Sequence, residues 1–332
     1  MTSMADPLDS LVARLRFRHL RMLVELQRCG TIGKAAAQLH LTQPALSKTL
    51  KEVEDAFGFA IYRRGPRGLQ ATMQGQAVVQ GASVLLAGLG HVREAALASA
   101  QQATAVLHLG APPTVAAGIL PLVLTQLRAG GAAVLVRLRE EPVPALFDAL
   151  VAGELDALLT SFNPAALAAK RPERLVYERC VDHAYAVIAP AGHRLATRRM
   201  VSWQDLLQEP WILPEPSLLA RQGIESHFLQ AGIAVPEPAI TSNSPATNVQ
   251  LVAAGLGIAA VPESMVTAEE RMGRIARLRV SLGARRVPTA LVYRAGSAAN
   301  PLLQQLRKAV SATRSAGVAG TARPSASRSR PA

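Results

Sequence analysis

The spacing of apolar and polar positions predicts a tight cluster of helices near the start of the chain. Phe17, Leu20, Leu23, Val24 and Gln27 fit one face of a helix that stops at Gly30. Thr31 then offers its hydroxyl to the orphan amides of a second helix, in which Ala35, Ala36 and Leu39 form a small, flat apolar surface. His40 and Leu41 make a turn. Thr42 caps a third helix, Pro44 occupies its first turn, where a missing amide proton costs little, and Gly58 ends it. Leu46, Leu50, Val53 and Phe57 recur at helical spacing as a buried stripe, and Gln43, Pro44, Ser47, Lys48 and Lys51 lie on the opposite face. From Ile61 to Thr72 the pattern becomes two short strands around a Gly/Pro turn carrying Arg63, Arg64 and Arg67.

Farther along, Gln74 to about Ala103 lacks proline, and Val78, Leu85, Leu89, Val92 and Ala96 fall close to one face of a long amphipathic helix. Gly81, Gly88 and Gly90 weaken that helix by about 1 kcal/mol each relative to alanine, or admit a closely packed partner helix. A strand over Val106–Gly110, a helix over Thr114–Arg128 and a strand over Ala133–Leu138 then begin a regular alternation. It continues through Gly257–Val261 and closes with a strand over Pro288–Tyr293 and a helix over Asn300 to about Thr313. Such alternation predicts an α/β fold of parallel sheets covered by helices. From Gly317 onward Gly, Ala, Ser, Pro and Arg predominate without apolar periodicity, which predicts a disordered basic tail.

Charge sharpens the reading of the amino-terminal cluster. The 332 residues carry a formal net charge of +13, which favours an anionic partner, and nucleic acid fits best. Gln and Lys on the polar face of the third helix suit base edges and phosphates, and Ser47 can donate or accept. The arginines of the following hairpin suit phosphates or the minor groove. The plainer alternative is an ordinary helical hairpin with a solvated face; three helices and a basic wing favour a winged helix-turn-helix. Cys29 and Cys180 have no metal-ligand spacing and fit reduced thiols of a cytoplasmic protein. No secretory leader and no membrane-spanning run is evident.

In order and in residues, the chain resembles the LysR-type transcriptional regulators. The resemblance rests on Phe17-Arg-His-Leu-Arg21, on the core from Ala36 to Lys48, on the wing with Thr72, on Gly153-Glu-Leu-Asp156 and on Gly255 to Pro262. It extends from about Leu11 to about Thr313, and its helix-turn-helix is also similar to a subgroup regulating aromatic-acid and sugar-uptake genes. It implies a winged helix-turn-helix over 1–73, a linker and dimerisation helix over 74–103 and an effector-binding domain over 104–315. That domain is implied to be of the periplasmic-binding-protein type, with two Rossmann-like subdomains, 104–178 with 283–315, and 179–282. Residues 316–332 would be the basic tail.

Implied DNA contacts are Thr42, Gln43, Pro44, Ala45, Ser47, Lys48 and Lys51, with Arg63, Arg64 and Arg67 on the wing. Double-stranded promoter DNA and a small organic effector, a carboxylate or a sugar, are the implied partners. RNA polymerase and a second copy, as dimer or tetramer, are further ones. Ligands of open sheets meet the carboxyl ends of strands and the amino ends of helices. That rule selects Pro113, Thr114 and Val115, then Thr160 and Ser161, then Ser217, and finally Thr241, Ser242 and Asn243. Serine and threonine at such places also serve as ordinary helix caps.

No cofactor and no metal is expected. An enzyme of the bilobal prephenate-dehydratase type would need a dedicated acid, base or polar cluster. His183 and His227 are the candidates in the second subdomain, and neither sits in a catalytic motif. An architectural DNA-binding protein without an effector is the remaining alternative.

Overall fold

The computed structural model describes residues 7–65, 68–99, 105–131, 133–161, 175–181, 184–281 and 288–319. It divides into two compact units, Met1–Val106 with Asp148–Leu155, and Leu107–Phe147 with Asp156–Ala332.

In the first unit, α1 (Pro7–Arg14), α2 (Phe17–Cys29), α3 (Ile32–Gln38) and α4 (Gln43–Phe57) precede the antiparallel hairpin of β1 (Tyr62–Gly65) and β2 (Gly68–Ala71). The expected caps are present: Thr31 accepts from the Lys34 amide at 3.3 Å and Thr42 from the Ala45 amide at 3.4 Å. Gly58 ends α4 at φ 79°, returning its amide to the Glu54 carbonyl. Leu46, Leu50 and Val53 of α4 are buried with Met22, Leu23 and Leu26 of α2 and Ala35 and Ala36 of α3. The alanines serve the close approach their size predicts. Helix α5 (Met73–Ser99) follows the hairpin and packs on α2. Its start is fixed by Gly75, where a Cβ would lie 1.9 Å from the Ile61 carbonyl oxygen, so only glycine allows this approach. No such reason applies to Gly81, Gly88 and Gly90, where a Cβ would meet nothing within 4 Å.

The second unit contains two sheets. One has the order β4 (Leu135–Glu140), β3 (Val106–Ala111), β5 (Ala157–Ser161), β12 (Thr289–Arg294), β6 (Leu175–Arg179). The other has the order β11 (Ile275–Arg277), β7 (Tyr185–Pro190), β10 (Ile258–Pro262), β8 (Trp211–Leu213), β9 (Pro238–Thr241). The chain thus passes from the first sheet to the second between Arg179 and Tyr185 and returns before Thr289. Both sheets are mixed, which corrects the all-parallel expectation. β12 runs antiparallel to β5 and β6, and β7 runs antiparallel to β10 and β11. The reversed strands are those that follow a crossing between sheets, so they enter from the opposite edge to a strand returned by its own helix.

Helices α6 (Pro113–Gly118), α7 (Leu120–Ala129) and α8 (Val143–Ala152) belong with the first sheet in sequence. The second carries α9 (Trp203–Leu206), α10 (Leu219–Gln230), α11 (Pro245–Ala253) and α12 (Val266–Arg271), and α13 (Pro301–Ala319) closes the chain. Where one helix over Thr114–Arg128 is expected, there are two, broken at Ile119. Pro121 cannot donate to the carbonyl four residues back and collides with it, so α7 restarts with proline in its first turn. Period-two alternation organises the second core: Val187 and Ala189 face one apolar cluster, Ala186 and Ile188 the other. α13 continues past Thr313 to Ala319, so the part of the expected tail up to Ala319 is helical. No proline interrupts it before Pro324; the rest of the expected tail, 320–332, lies outside the described residues.

Candidate nucleic-acid interface and ligand cleft

The turn between α3 and α4 is made by His40, in the left-handed region at φ 54°, and the Leu41 amide closes it on the Ala36 carbonyl at 2.9 Å. α4 then presents Thr42, Gln43, Pro44, Ala45, Ser47, Lys48 and Lys51 to solvent, all exposed. On β1, Arg63 and Arg64 are exposed too and pair in register with Gln70 and Leu69. Adjacent strand residues point to opposite faces. Arg64 therefore joins Ser47 and Lys51 around an open groove of about 650 Å³ between helix and wing, and Arg63 does not. The expected contact Arg67 lies outside the described residues.

Glu54 positions this surface. Its Oε1 accepts from the Ile61 amide at 2.8 Å and the Tyr62 amide at 3.0 Å, locking the first wing strand to the end of α4. An acidic residue in a basic segment carries no sequence signal for this role, because its partners are backbone amides. From the other side, Tyr62 is buried and donates to the Leu23 carbonyl at 2.7 Å, and burial pushes its phenol well above the ordinary value. Thr72 donates to the Ala60 carbonyl at 2.9 Å and accepts from the Gly75 amide at 2.9 Å, tying the wing to the start of α5.

In the second unit, the carboxyl ends of the strands gather most of the selected polar residues. Thr114 is half-buried and Val115 buried in the first turn of α6, beyond the end of β3, with Pro113 before them. β5 lies parallel to β3 and ends in Thr160, which is buried, and half-buried Ser161. Ser161 stands in register with Thr289, whose hydroxyl donates to the Val181 carbonyl. On the second sheet, Leu213 and Thr241 end neighbouring parallel strands, and Tyr185 pairs with Pro262 at the same edge.

These two edges meet. α6 packs on β10 and α11, and a Cβ at Gly118 would lie 3.3 Å from the Pro262 Cβ. The Tyr185 phenol lies near the Thr114 side chain, and burial raises it to about 12 although Thr114 acts to lower it. Tyr185 is the residue at this edge that sequence patterning does not select, since it reads as one more strand aromatic.

The remaining candidates sit differently. Ser217 is exposed and lies outside α10, whose N-cap is Leu218, because a turn from Glu215 to Leu218 precedes the helix. Exposed Asn243 accepts from the Glu215 amide at 2.9 Å, and the Ser242 amide bonds the Leu213 carbonyl at 3.0 Å. Ser244, one residue beyond the selected group, caps α11. His227 stacks on Trp203 with centroids 5.0 Å apart, as a packed residue; His183 lies outside the described residues.

A winged helix-turn-helix with a bilobal α/β module defines a DNA-binding regulator with a ligand-sensing domain. Residues 17–76 match the family model of the bacterial regulatory helix-turn-helix protein, lysR family, and residues 100–314 that of the LysR substrate binding domain. The chain belongs to the LysR family of transcriptional regulators. It is 25% identical over 300 residues to the transcriptional regulator PcaQ of Agrobacterium fabrum, covering 90% of this chain and 94% of PcaQ. It is 26% identical over 298 residues to the dual regulator OxyR of Escherichia coli, covering 90% of this chain and 95% of OxyR. Both relatives are regulators of transcription, not enzymes. A full-length OxyR variant from Pseudomonas aeruginosa superposes with a TM-score of 0.59 at 24% identity, over 89% of this chain and 94% of that one. CbnR complexed with its target DNA gives 0.52 at 22% identity, over 90% and 100%. At this identity the two structures speak for the fold. Among the described residues no helix is long and apolar enough to cross a membrane.

Proposed function

We propose that this regulator binds promoter DNA as a dimer, pairing further into a tetramer, and responds to a small carboxylate or sugar held between its two subdomains. Gln43, Ser47 and Lys48 read bases, flanked by Thr42, Pro44 and Ala45, while Lys51, Arg63, Arg64 and Arg67 grip phosphate. A good bidentate base contact contributes roughly 1–3 kcal/mol of discrimination, while phosphate contacts set affinity and its salt dependence. The exposed face of α5, with Leu85, Leu89 and Val92, supplies the surface for a second copy. RNA polymerase is the partner on which bound protein acts.

The observation that carries the effector reading is the meeting of the two lobes where both sheets end, α6 packing on β10 and α11 with Thr114 near Tyr185 as the latch. A ligand contacting Thr114, Ser161 and Ser242 across that line adds to the latch and favours one arrangement of the lobes. The test is DNase protection on the region beside its own gene, with and without small acids and sugars, using wild type and Thr114→Val. Protection that one compound alters in wild type but not in the variant is expected. A compound response that survives Thr114→Val together with Ser161→Ala places the effector elsewhere.

A further inference from the structure

Helix α1 lies ahead of the helix-turn-helix module, which begins at residue 17. It packs on α4, and Leu15, just past its end, joins the core of the unit. From its last turn onward, residues 14–21 carry Arg14, Arg16, Arg18 and Arg21 and no acidic residue, and all four arginines are exposed. None of them pairs with a carboxylate among the described residues, whereas Arg28 at the far end of α2 is held by Glu25 at 2.9 Å.

Two of these charges stand where the fold alone disfavours them. Arg16 is the N-cap of α2, and its side chain makes no capping bond there. Serine, threonine, aspartate and asparagine stabilise that position, while a cation meets the positive end of the helix. Arg18, in the first turn, meets the same field. Like charges crowded over this stretch repel one another as well, and an external anion relieves both costs.

The place of the patch says which anion. Arg18 Nε lies 3.5 Å from Nε2 of His19, which is buried. Burial lowers the proton affinity of His19, Arg18 and Arg16 lower it further, and Glu52 of α4 raises it, so all three charges surround this one ring. Arg16 and Arg18 therefore stand beside the Glu52 flank of α4. The wing lies on the other flank, where Ser47, Lys51 and Glu54 line the groove with Arg64. Helical positions advance by about 100°, which sets Lys48 between the two flanks. An α-helix with its side chains is about 10–12 Å across and the major groove of B-DNA about 12 Å wide. A helix seated there has one phosphate strand on each side.

We infer that Arg14 and Arg16 grip the phosphate strand across the major groove from the one the wing meets, so that α4 is clamped from both sides. This rests on the reading of α4 as the helix that enters the groove, and it adds contacts from outside the module. Phosphate contacts carry no sequence information, so these arginines set affinity and its salt dependence rather than the choice of operator.

The test measures binding of the full-length protein to two duplexes of equal length, the region beside its own gene and a random sequence, from about 50 to 300 mM salt. Arg14→Gln with Arg16→Gln should weaken both duplexes by the same factor, about tenfold or more near 100 mM salt. The slope of log affinity against log salt should become shallower by roughly 0.9 for each arginine of each bound protomer. Arg14→Lys with Arg16→Lys keeps both charges and should restore most of the affinity and the slope. Melting temperatures of the unliganded variants should match wild type, since the side chains are exposed.

Unchanged affinity and slope in the glutamine variant overturn the inference. So does a loss of affinity that leaves the slope unchanged or that lysine fails to restore, which assigns the arginines to seating α1 on α4. In either case Arg64→Gln shows whether the wing flank still grips DNA, which keeps failure here apart from failure of the groove reading. Failure of wild type to bind either duplex overturns both.

Discussion

Glu54 shows how much one side chain can decide at the DNA-binding surface. Its carboxylate takes two backbone amides at the junction of α4 and the wing. Glu54→Ala leaves two donors at a half-buried corner, so the DNA-binding unit should lose about 2 kcal/mol. Because the wing also loosens, DNA affinity should fall more than the melting temperature alone implies. Gel shift and thermal melting, run together, separate the two effects, and equal affinity for wild type and variant would refute the positioning role. His40 works in the opposite sense, because it holds the left-handed turn at φ 54° with a side chain that disfavours it. His40→Gly should stabilise by about 0.5–1 kcal/mol and His40→Val should destabilise by more, checked by urea denaturation. A glycine variant less stable than wild type would mean that the imidazole itself supports the turn. The caps Thr31, Thr42 and Gly58 were legible in the sequence because a cap's residue type and its spacing to the apolar stripe are both local. Glu54 and Tyr185 were not: Glu54 acts on backbone amides, which carry no residue type, and Tyr185 faces Thr114, a residue far away in the chain.

At the level of elements, apolar periodicity located the helices and strands but not their breaks or directions. Pro121 splits the helix expected over Thr114–Arg128, and the periodic residues run on across the break, which is why periodicity alone misses it. Strand direction is equally hidden: β12 has the alternation of any buried strand, and only the crossing between lobes makes it antiparallel to β5. β6 and α13 are joined by charge. Glu178 accepts from the Tyr293 hydroxyl at 2.6 Å and pairs with Arg307 at 2.5 Å. Burial acts to raise the Glu178 carboxyl, but the bonds from Arg307 and Tyr293 outweigh it and hold the group below its ordinary value. A depressed carboxylate contributes stability that is present above the unfolded value and lost as pH falls through the folded one. Unfolding followed from pH 7 to pH 3 should show this contribution fade below about pH 4.3. Glu178→Gln should be less stable at pH 7 and flatter in that acid window; an unchanged acid profile would exclude the network as its source.

On the scale of the whole molecule, assembly and ligand response each rest on a surface with a specific weakness. α5 exposes Leu85, Leu89 and Val92 at 58%, 49% and 66%, an apolar line that a soluble monomer rarely leaves open. If a second copy covers it, Leu85→Asp with Leu89→Asp should shift sedimentation from dimer to monomer at micromolar protein, while the helical signal is retained. An unchanged species would move the interface away from α5. The coupling between lobes can be weighed at Thr114 and Tyr185. A hydrogen bond between their side chains would contribute on the order of 1 kcal/mol, enough to change the balance between joined and parted lobes about fivefold. Tyr185→Phe removes the hydroxyl and keeps the ring, so packing is preserved while the latch is lost. Thr114→Val does the same from the other side. Each variant should need several-fold more effector for half-maximal change in DNA protection. The double variant should need little more than either alone, because the second substitution removes a partner already without its bond. Additive losses would show that the two hydroxyls act separately, each on the ligand, and that no latch between the lobes sets the response.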